Sequence, residues 1–222
     1  MLFISHQIIR LSLIQKRIQG RIEHPIATSG VNFHCRTVRI QDQKHKLYLW
    51  DTSGQECFRD ITKAYFKGTA CIFLVYDITN RQSFINLNQW LKDAYSANSC
   101  NLNVIYVLVG NKLDLEDERV VTQEEAYQFA DENDLLFFET SAKTGENVQK
   151  VFIHSSSFIL DQIHQGTLSI NENNGVWRDV IHRRTEKKFR RKSDENCQRT
   201  FCSQIHKFVR NYFCCCFCDN EK

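Results

Sequence analysis

The sequence predicts an α/β domain built on a doubly wound, mostly parallel sheet with one antiparallel hairpin at its edge. Two continuous apolar runs, Ala70–Tyr76 and Val104–Val109, have the length and apolarity of strands buried on both faces of a parallel sheet, and Leu135–Phe138 makes a shorter third. Segments with helical spacing lie between and after these runs, and strand alternating with helix is the doubly wound pattern.

In chain order, Met1–Ile4 is the only candidate for an opening strand, and the apolar spacing of Leu11–Ile18 predicts a helix that packs on the sheet. Phe33–Ile40 and Lys46–Trp50 mix β-branched and aromatic side chains, with the polar stretch Gln41–His45 between them, and read as the hairpin. Helical periodicity then places Phe84, Leu87 and Leu91 on one apolar face, Ala126, Phe129 and Ala130 on a second, and Val148, Val151 and Phe152 on a third. Past Gly166 the periodicity fades into Asn171–Gly175 and a basic stretch, Arg183–Lys192, which predicts a flexible tail over 167–222.

Charge follows the same division. Residues 171–222 hold twelve Lys/Arg against seven Asp/Glu, so the tail is +5 and the upstream chain −2 within the total of +3. A slightly acidic body argues against a nucleic-acid-binding core. Ten cysteines, four of them scattered through the body and Cys214, Cys215, Cys216 and Cys218 crowded at the end, favour reduced thiols over a disulfide framework. Adjacent cysteines lack the two-residue spacing that lets thiolates converge on zinc. No uncharged apolar run reaches the roughly 18 residues of a membrane-spanning helix.

Ligands of doubly wound sheets bind at the carboxyl ends of the strands, so the residues following each apolar run are the candidates. Gly110-Asn-Lys-Leu-Asp114 follows one run and Glu139-Thr-Ser-Ala-Lys143 follows the next. Guanine offers N1–H and an exocyclic amine side by side, and one carboxylate, Asp114, can accept both in a bidentate pair that adenine cannot supply. Asn111 would tie the two loops together, the Lys112 stem would lie over the base, and the Ala142 N–H would meet O6, with Ser141 and Lys143 completing the second loop. Either tetrapeptide alone is also an ordinary polar turn; together, at adjacent strand ends, they specify a guanine site.

Asp51-Thr-Ser-Gly-Gln-Glu56 follows the Lys46–Trp50 strand. Facing a triphosphate, Asp51 can hold Mg²⁺ through water, the Gly54 N–H can reach a terminal phosphate, and Gln55 can orient a water for in-line attack. The alternative is a plain helix start capped by Asp51 or Ser53.

With these motifs the run from Thr28 to Gly166 resembles the Rab family of small GTPases. The strings that carry the resemblance are Ser29-Gly-Val-Asn-Phe33, Lys46-Leu-Tyr-Leu-Trp50, Phe58-Arg-Asp-Ile-Thr62, Tyr65-Phe-Lys-Gly-Thr69 and Leu74-Val-Tyr-Asp-Ile-Thr79. The resemblance implies a P-loop NTPase-like fold binding GTP/GDP and Mg²⁺, with Thr28 as the switch threonine on the metal, and hydrolysis with Gln55 positioning water. Phe33, Trp50 and Tyr65 are then an aromatic triad read by effectors. It implies a monomeric switch in vesicle trafficking that meets effectors, an exchange factor and a GTPase-activating protein. It also implies residence on the cytoplasmic face of intracellular membranes, cycling with the cytosol, through lipid on the terminal cysteines.

One departure is large. Such a protein carries Gly-x-x-x-x-Gly-Lys-[Ser/Thr] after its first strand, yet residues 1–27 contain one glycine, Gly20, and no such motif. The expectation is therefore an atypical segment over 1–27 in which the first strand and P-loop are truncated or absent. Either a missing upstream coding segment or a nucleotide-defective pseudo-GTPase acting as a binding module accounts for it.

Overall fold

The computed structural model describes residues 2–7, 31–52, 59–99 and 103–168, all within one compact unit, Met1–Asp179. Among the described residues six strands, β1 (Leu2–Gln7), β2 (Val31–Ile40), β3 (Gln43–Thr52), β4 (Cys71–Asp77), β5 (Ile105–Asn111) and β6 (Leu136–Thr140), form one sheet. Their order across it is β2-β3-β1-β4-β5-β6. Every pairing is parallel except β2 with β3, so the predicted edge hairpin on a parallel sheet is what forms.

The first strand is longer than Met1–Ile4 suggested. Leu2–Gln7 lies between β3 and β4, in register from Leu2 opposite Leu47 to Gln7 opposite Thr52, so its ladder is supported from both sides. A strand with two neighbours extends past the point where apolar patterning stops, because backbone pairing does not require apolar side chains. The hairpin turn is also tighter than expected: Gln41 and Asp42 both have positive φ, 48° and 61°. Two such residues make the turn whose twist matches paired strands, so Gln43–His45 zip into β3 instead of looping.

Helices cover both faces: α1 (Arg59–Phe66), α2 (Arg81–Ile85), α3 (Leu87–Ala97), α4 (Gln123–Glu132) and α5 (Val148–His164), with a 3₁₀ segment over Leu113–Glu118. The segment expected as one helix through Phe84, Leu87 and Leu91 is two, joined at Asn86, yet all three side chains stay buried. Local caps define the starts. Asn80 accepts from the Ser83 N–H and Thr122 from the Glu125 N–H, satisfying donors that a helix leaves open.

Period-two alternation along β4 splits the core. Cys71, Phe73 and Val75 pack with Leu47, Val107 and α5 residues Val151, Phe152 and Ile159, whereas Ile72, Leu74 and Tyr76 pack with Leu108, Trp90, Leu91 and Ala126. Each large apolar side chain sealed this way contributes about 1.5–3 kcal/mol, which fixes the strand ends that carry the polar motifs.

Candidate functional site

The carboxyl ends of β4, β5 and β6 lie side by side, with Asp77 in register with Asn111 and Asn111 with Thr140. From this row the polar loops emerge. Gly110, one residue before Asn111, stands against the Tyr76 hydroxyl: an added Cβ would come to 2.8 Å of it. That distance is inside van der Waals contact, so a side chain here would push the strand end out of place.

Asn111 joins the two loops as expected, its Oδ1 accepting the Ala142 N–H at 3.1 Å. The Ala142 N–H expected on O6 of a base therefore serves here as the tie between loops. Asp114 is aimed by the second loop: Oδ1 accepts the Ser141 hydroxyl at 2.5 Å, and Lys143 Nζ stands 3.7 Å from Oδ2. Ser141 is fully buried and its Oγ also accepts the Thr144 N–H at 3.0 Å, so it cannot swing away without breaking two bonds. The Asp114 side chain is 11% exposed, leaving an edge of the carboxylate for a ligand. A fixed, nearly buried acceptor pair suits two adjacent N–H donors, as guanine presents them.

Lys112 takes the left-handed conformation, φ 73°, uncommon for a side chain of its length. Its Nζ meets Asp77 Oδ2 at 2.6 Å while Asp77 Oδ1 accepts the Thr79 N–H and hydroxyl at 3.0 and 2.7 Å. Burial pushes the Asp77 carboxyl up, but the bonds from Lys112 and Thr79 outweigh it and hold it below its ordinary value. Asp77 lies inside Leu74-Val-Tyr-Asp-Ile-Thr79, a string the sequence reading noted without giving this residue a role.

A second group had no signal in the sequence. Arg119 Nη1 and Nη2 reach both Glu139 carboxylate oxygens at 2.7 and 2.9 Å, its Nε and Nη2 reach Glu116 at 2.8 and 2.7 Å, and Nη1 also donates to the Val121 carbonyl. Glu116 sits in the 3₁₀ segment with Asp114, and Glu139 precedes Ser141 by two residues. Arg119 thereby ties the Asp114 loop to the strand that leads into the Ser141 loop. Nothing in local spacing reveals such a bridge, because its partners are 20 residues apart and on different elements.

The phosphate half is represented by Asp51, fully buried at the end of β3 opposite His6 of β1. Thr28, Gly54 and Gln55 lie outside the described residues, as do Cys214, Cys215, Cys216 and Cys218. The donor set at β5 and β6 thus fits the base of a guanine nucleotide, and Asp51 is a carboxylate of the kind that holds Mg²⁺ through water.

A model of the Ras family matches residues 11–161 of this chain. Over 166 residues, 74% of this chain and 80% of the other, it is 49% identical to the Ras-related protein Rab-2B of Dictyostelium discoideum. The chain is a Rab-type small GTPase of the Ras family.

In this Rab-type chain the aromatic triad is contiguous. Phe33 pairs across the hairpin with Trp50, ring centroids 4.8 Å apart, and Trp50 meets Tyr65 of α1 at 5.2 Å. All three are half-buried, and the rings pack at tilted angles of 49° and 43°. Burial also raises the Tyr65 hydroxyl above its ordinary value, so it stays protonated. Beside the triad, α1 is moored to α3: Asp93, buried, accepts Arg59 Nε at 2.5 Å and Nη2 at 3.0 Å, with Lys63 Nζ at 3.4 Å.

Proposed function

We propose that this chain acts as a guanine-nucleotide-dependent switch in intracellular vesicle trafficking, recognising the base through Asp114, Asn111, Lys112 and the Ser141-Ala142-Lys143 loop. The observation that carries the reading is the Asp114 carboxylate, fixed by Ser141 at 2.5 Å and flanked by Lys143 at the junction of two adjacent strand ends. In the same reading Thr28 and Asp51 hold Mg²⁺, the Gly54 N–H meets the terminal phosphate, and Gln55 orients the attacking water. Effectors meet Phe33, Trp50 and Tyr65 in the GTP-bound state, an exchange factor and a GTPase-activating protein turn the monomeric switch over, and lipid on the terminal cysteines holds it to the cytoplasmic face of membranes.

A second reading, a binding module without the nucleotide cycle, is favoured by one feature: no glycine in the chain is followed by lysine, so the Gly-Lys of a P-loop is absent from these 222 residues. The base site separates from the phosphate site by experiment. Guanosine, which has no phosphate, is titrated into the isotope-labelled chain and amide shifts at Ser141, Ala142 and Asp114 are followed. Saturation near 1 mM, about −4 kcal/mol, is expected for guanosine, with none for adenosine. Asp114→Asn exchanges an acceptor for a donor, and so transfers the preference to xanthosine, whose C2 carbonyl replaces the guanine amine. Equal responses to guanosine and adenosine overturn the base assignment.

A further inference from the structure

The β2–β3 hairpin carries four Lys/Arg and a single acid, Asp42, in residues 31–50. Alternation sorts them by face. Val38 and Ile40 are buried with Leu47, Leu49 and α5 residues, so Phe33, Cys35, Thr37 and Arg39 point the other way, opposite Trp50, Tyr48, Lys46 and Lys44 respectively. One face therefore begins at the aromatic triad and ends in three exposed cations, Arg39, Lys44 and Lys46. Arg39 and Lys44 are direct cross-strand partners, and among the described residues neither side chain has an ion pair or hydrogen bond.

Like charges placed directly opposite on a sheet work against the hairpin. Protection of an edge strand accounts for Arg39 on β2, which ends the sheet, but not for Lys44 on β3. A local cost that the fold does not need is where a function is expected. Six residues of strand separate Trp50 from Lys44, which at the rise of a β-strand is about 20 Å.

We propose that this face docks an acidic segment of a partner protein, which seats an apolar anchor on Phe33, Trp50 and Tyr65 and places carboxylates about 20 Å away on Arg39, Lys44 and Lys46. The proposal rests on the reading of the triad as partner-facing and adds the chemistry of the partner. A helix of about 13 residues spans that distance. The cations lie on the rim, so they set partner choice and association rate more than total affinity.

The test uses the full chain and two fluorescent helical peptides of about 20 residues, long enough to span the face. Both carry the same apolar half, with leucines at i, i+3, i+4 and i+7; the other half carries five Glu in one and five Lys in the other. The acidic peptide is expected to bind at least roughly tenfold more tightly at about 50 mM salt, a preference that shrinks at about 0.5 M as screening shortens. R39E/K44E should reverse that preference. R39T/K44T should abolish it while leaving the melting temperature equal or higher, since the opposed charges are gone. Equal binding of the two peptides, or an acidic preference that R39E/K44E leaves intact, overturns the proposal. So does retention on vesicles containing about 30% phosphatidylserine that R39E/K44E abolishes while the peptides show no preference, which assigns the cations to lipid. Trp50→Ala keeps the two readings apart: weaker binding of both peptides supports the triad. If charge reversal abolishes binding and Trp50→Ala does not alter it, the triad reading fails and the cationic one stands.

Discussion

Replacing Arg119 with Ala removes the tie between the Asp114 and Ser141 loops and leaves Glu139 buried without its cation. The side chains of Arg119 and Glu139 are 13% and 9% exposed, so solvent cannot take over the lost bonds, whereas Glu116, 60% exposed, rehydrates at little cost. Breaking a buried pair from one side costs about 3–5 kcal/mol, most of it the stranded charge. For a domain of this size that is a fall in melting temperature of roughly 6–20 °C. Thermal and urea unfolding of wild type and Arg119→Ala measure the loss. Arg119→Met/Glu139→Leu, which removes both charges and keeps the volume, should recover most of it, because an apolar pair of similar size is about neutral relative to a buried ion pair. Guanosine-induced shifts at Asp114 should weaken in the single variant, since Glu116 and Glu139 no longer hold the two loops in one register. A loss below about 1 kcal/mol, or a double variant no better than the single, would refute the view that Arg119 is a buried bridge.

Three other outcomes are expected. Burial raises the Asp93 carboxyl, but Arg59 and Lys63 outweigh it and hold it low, so the mooring of α1 is fully formed above about pH 4 and is lost as pH falls through the lower folded value. Asp93→Asn should cost about 1–2 kcal/mol at neutral pH, because Arg59 is one-third exposed, and should flatten the acid limb of the stability profile. The 222-residue chain should bind GDP far more weakly than the nanomolar range, about −12 kcal/mol, because its sequence holds no Gly-x-x-x-x-Gly-Lys motif to cradle phosphates; with a Rab first strand and P-loop in place of the segment ahead of Leu11, binding should return, and Gln55→Leu should then slow hydrolysis without abolishing nucleotide binding. A reporter fused to residues 171–222 should collect on membranes and become cytosolic when Cys214, Cys215, Cys216 and Cys218 are changed to Ser, since stable anchoring takes two lipid signals and a basic stretch adds only about 1 kcal/mol per cation.

The strands β4, β5 and β6 were legible because each begins as a continuous apolar run, and their ends carried the motifs into view. Asn111, Asp114, Ser141 and Ala142 could be named from the chain because they cluster within three residues of a strand end, where ligands of such sheets bind. Asp77 and Arg119 could not, since their partners come from other strands and only the register of β4, β5 and β6 brings them close. The shift of β3 from Lys46 back to Gln43 was hidden for a different reason. A polar run with two tolerant turn residues reads as a loop, while its strand character comes from backbone pairing with β2. The split at Asn86 was hidden too, since apolar spacing continues unbroken through it.

The proposed metal-holding and effector-facing residues are neighbours on β3. Asp51 is fully buried at the carboxyl end of the strand, and Trp50, its neighbour in sequence, is half-buried in the aromatic triad. Alternation points successive side chains to opposite faces, so one residue of strand separates a group that would sense the metal from a ring that effectors would touch. A ligand shifts a conformational equilibrium only by the difference in its affinity for the two states. Here any such difference would have a short path: Asp51 and Trp50 share one strand, and Trp50 contacts Phe33 across the hairpin and Tyr65 on α1. The mooring of α1 through Arg59 and Asp93 then limits how far Tyr65 can follow. Arg39 and Lys44 lie on the same two paired strands, so the cationic end of the face stays in fixed register with Trp50. A partner that engages both ends therefore meets the cations at a constant distance from Trp50, and the nucleotide state would govern its affinity through the placement of Tyr65 against that ring.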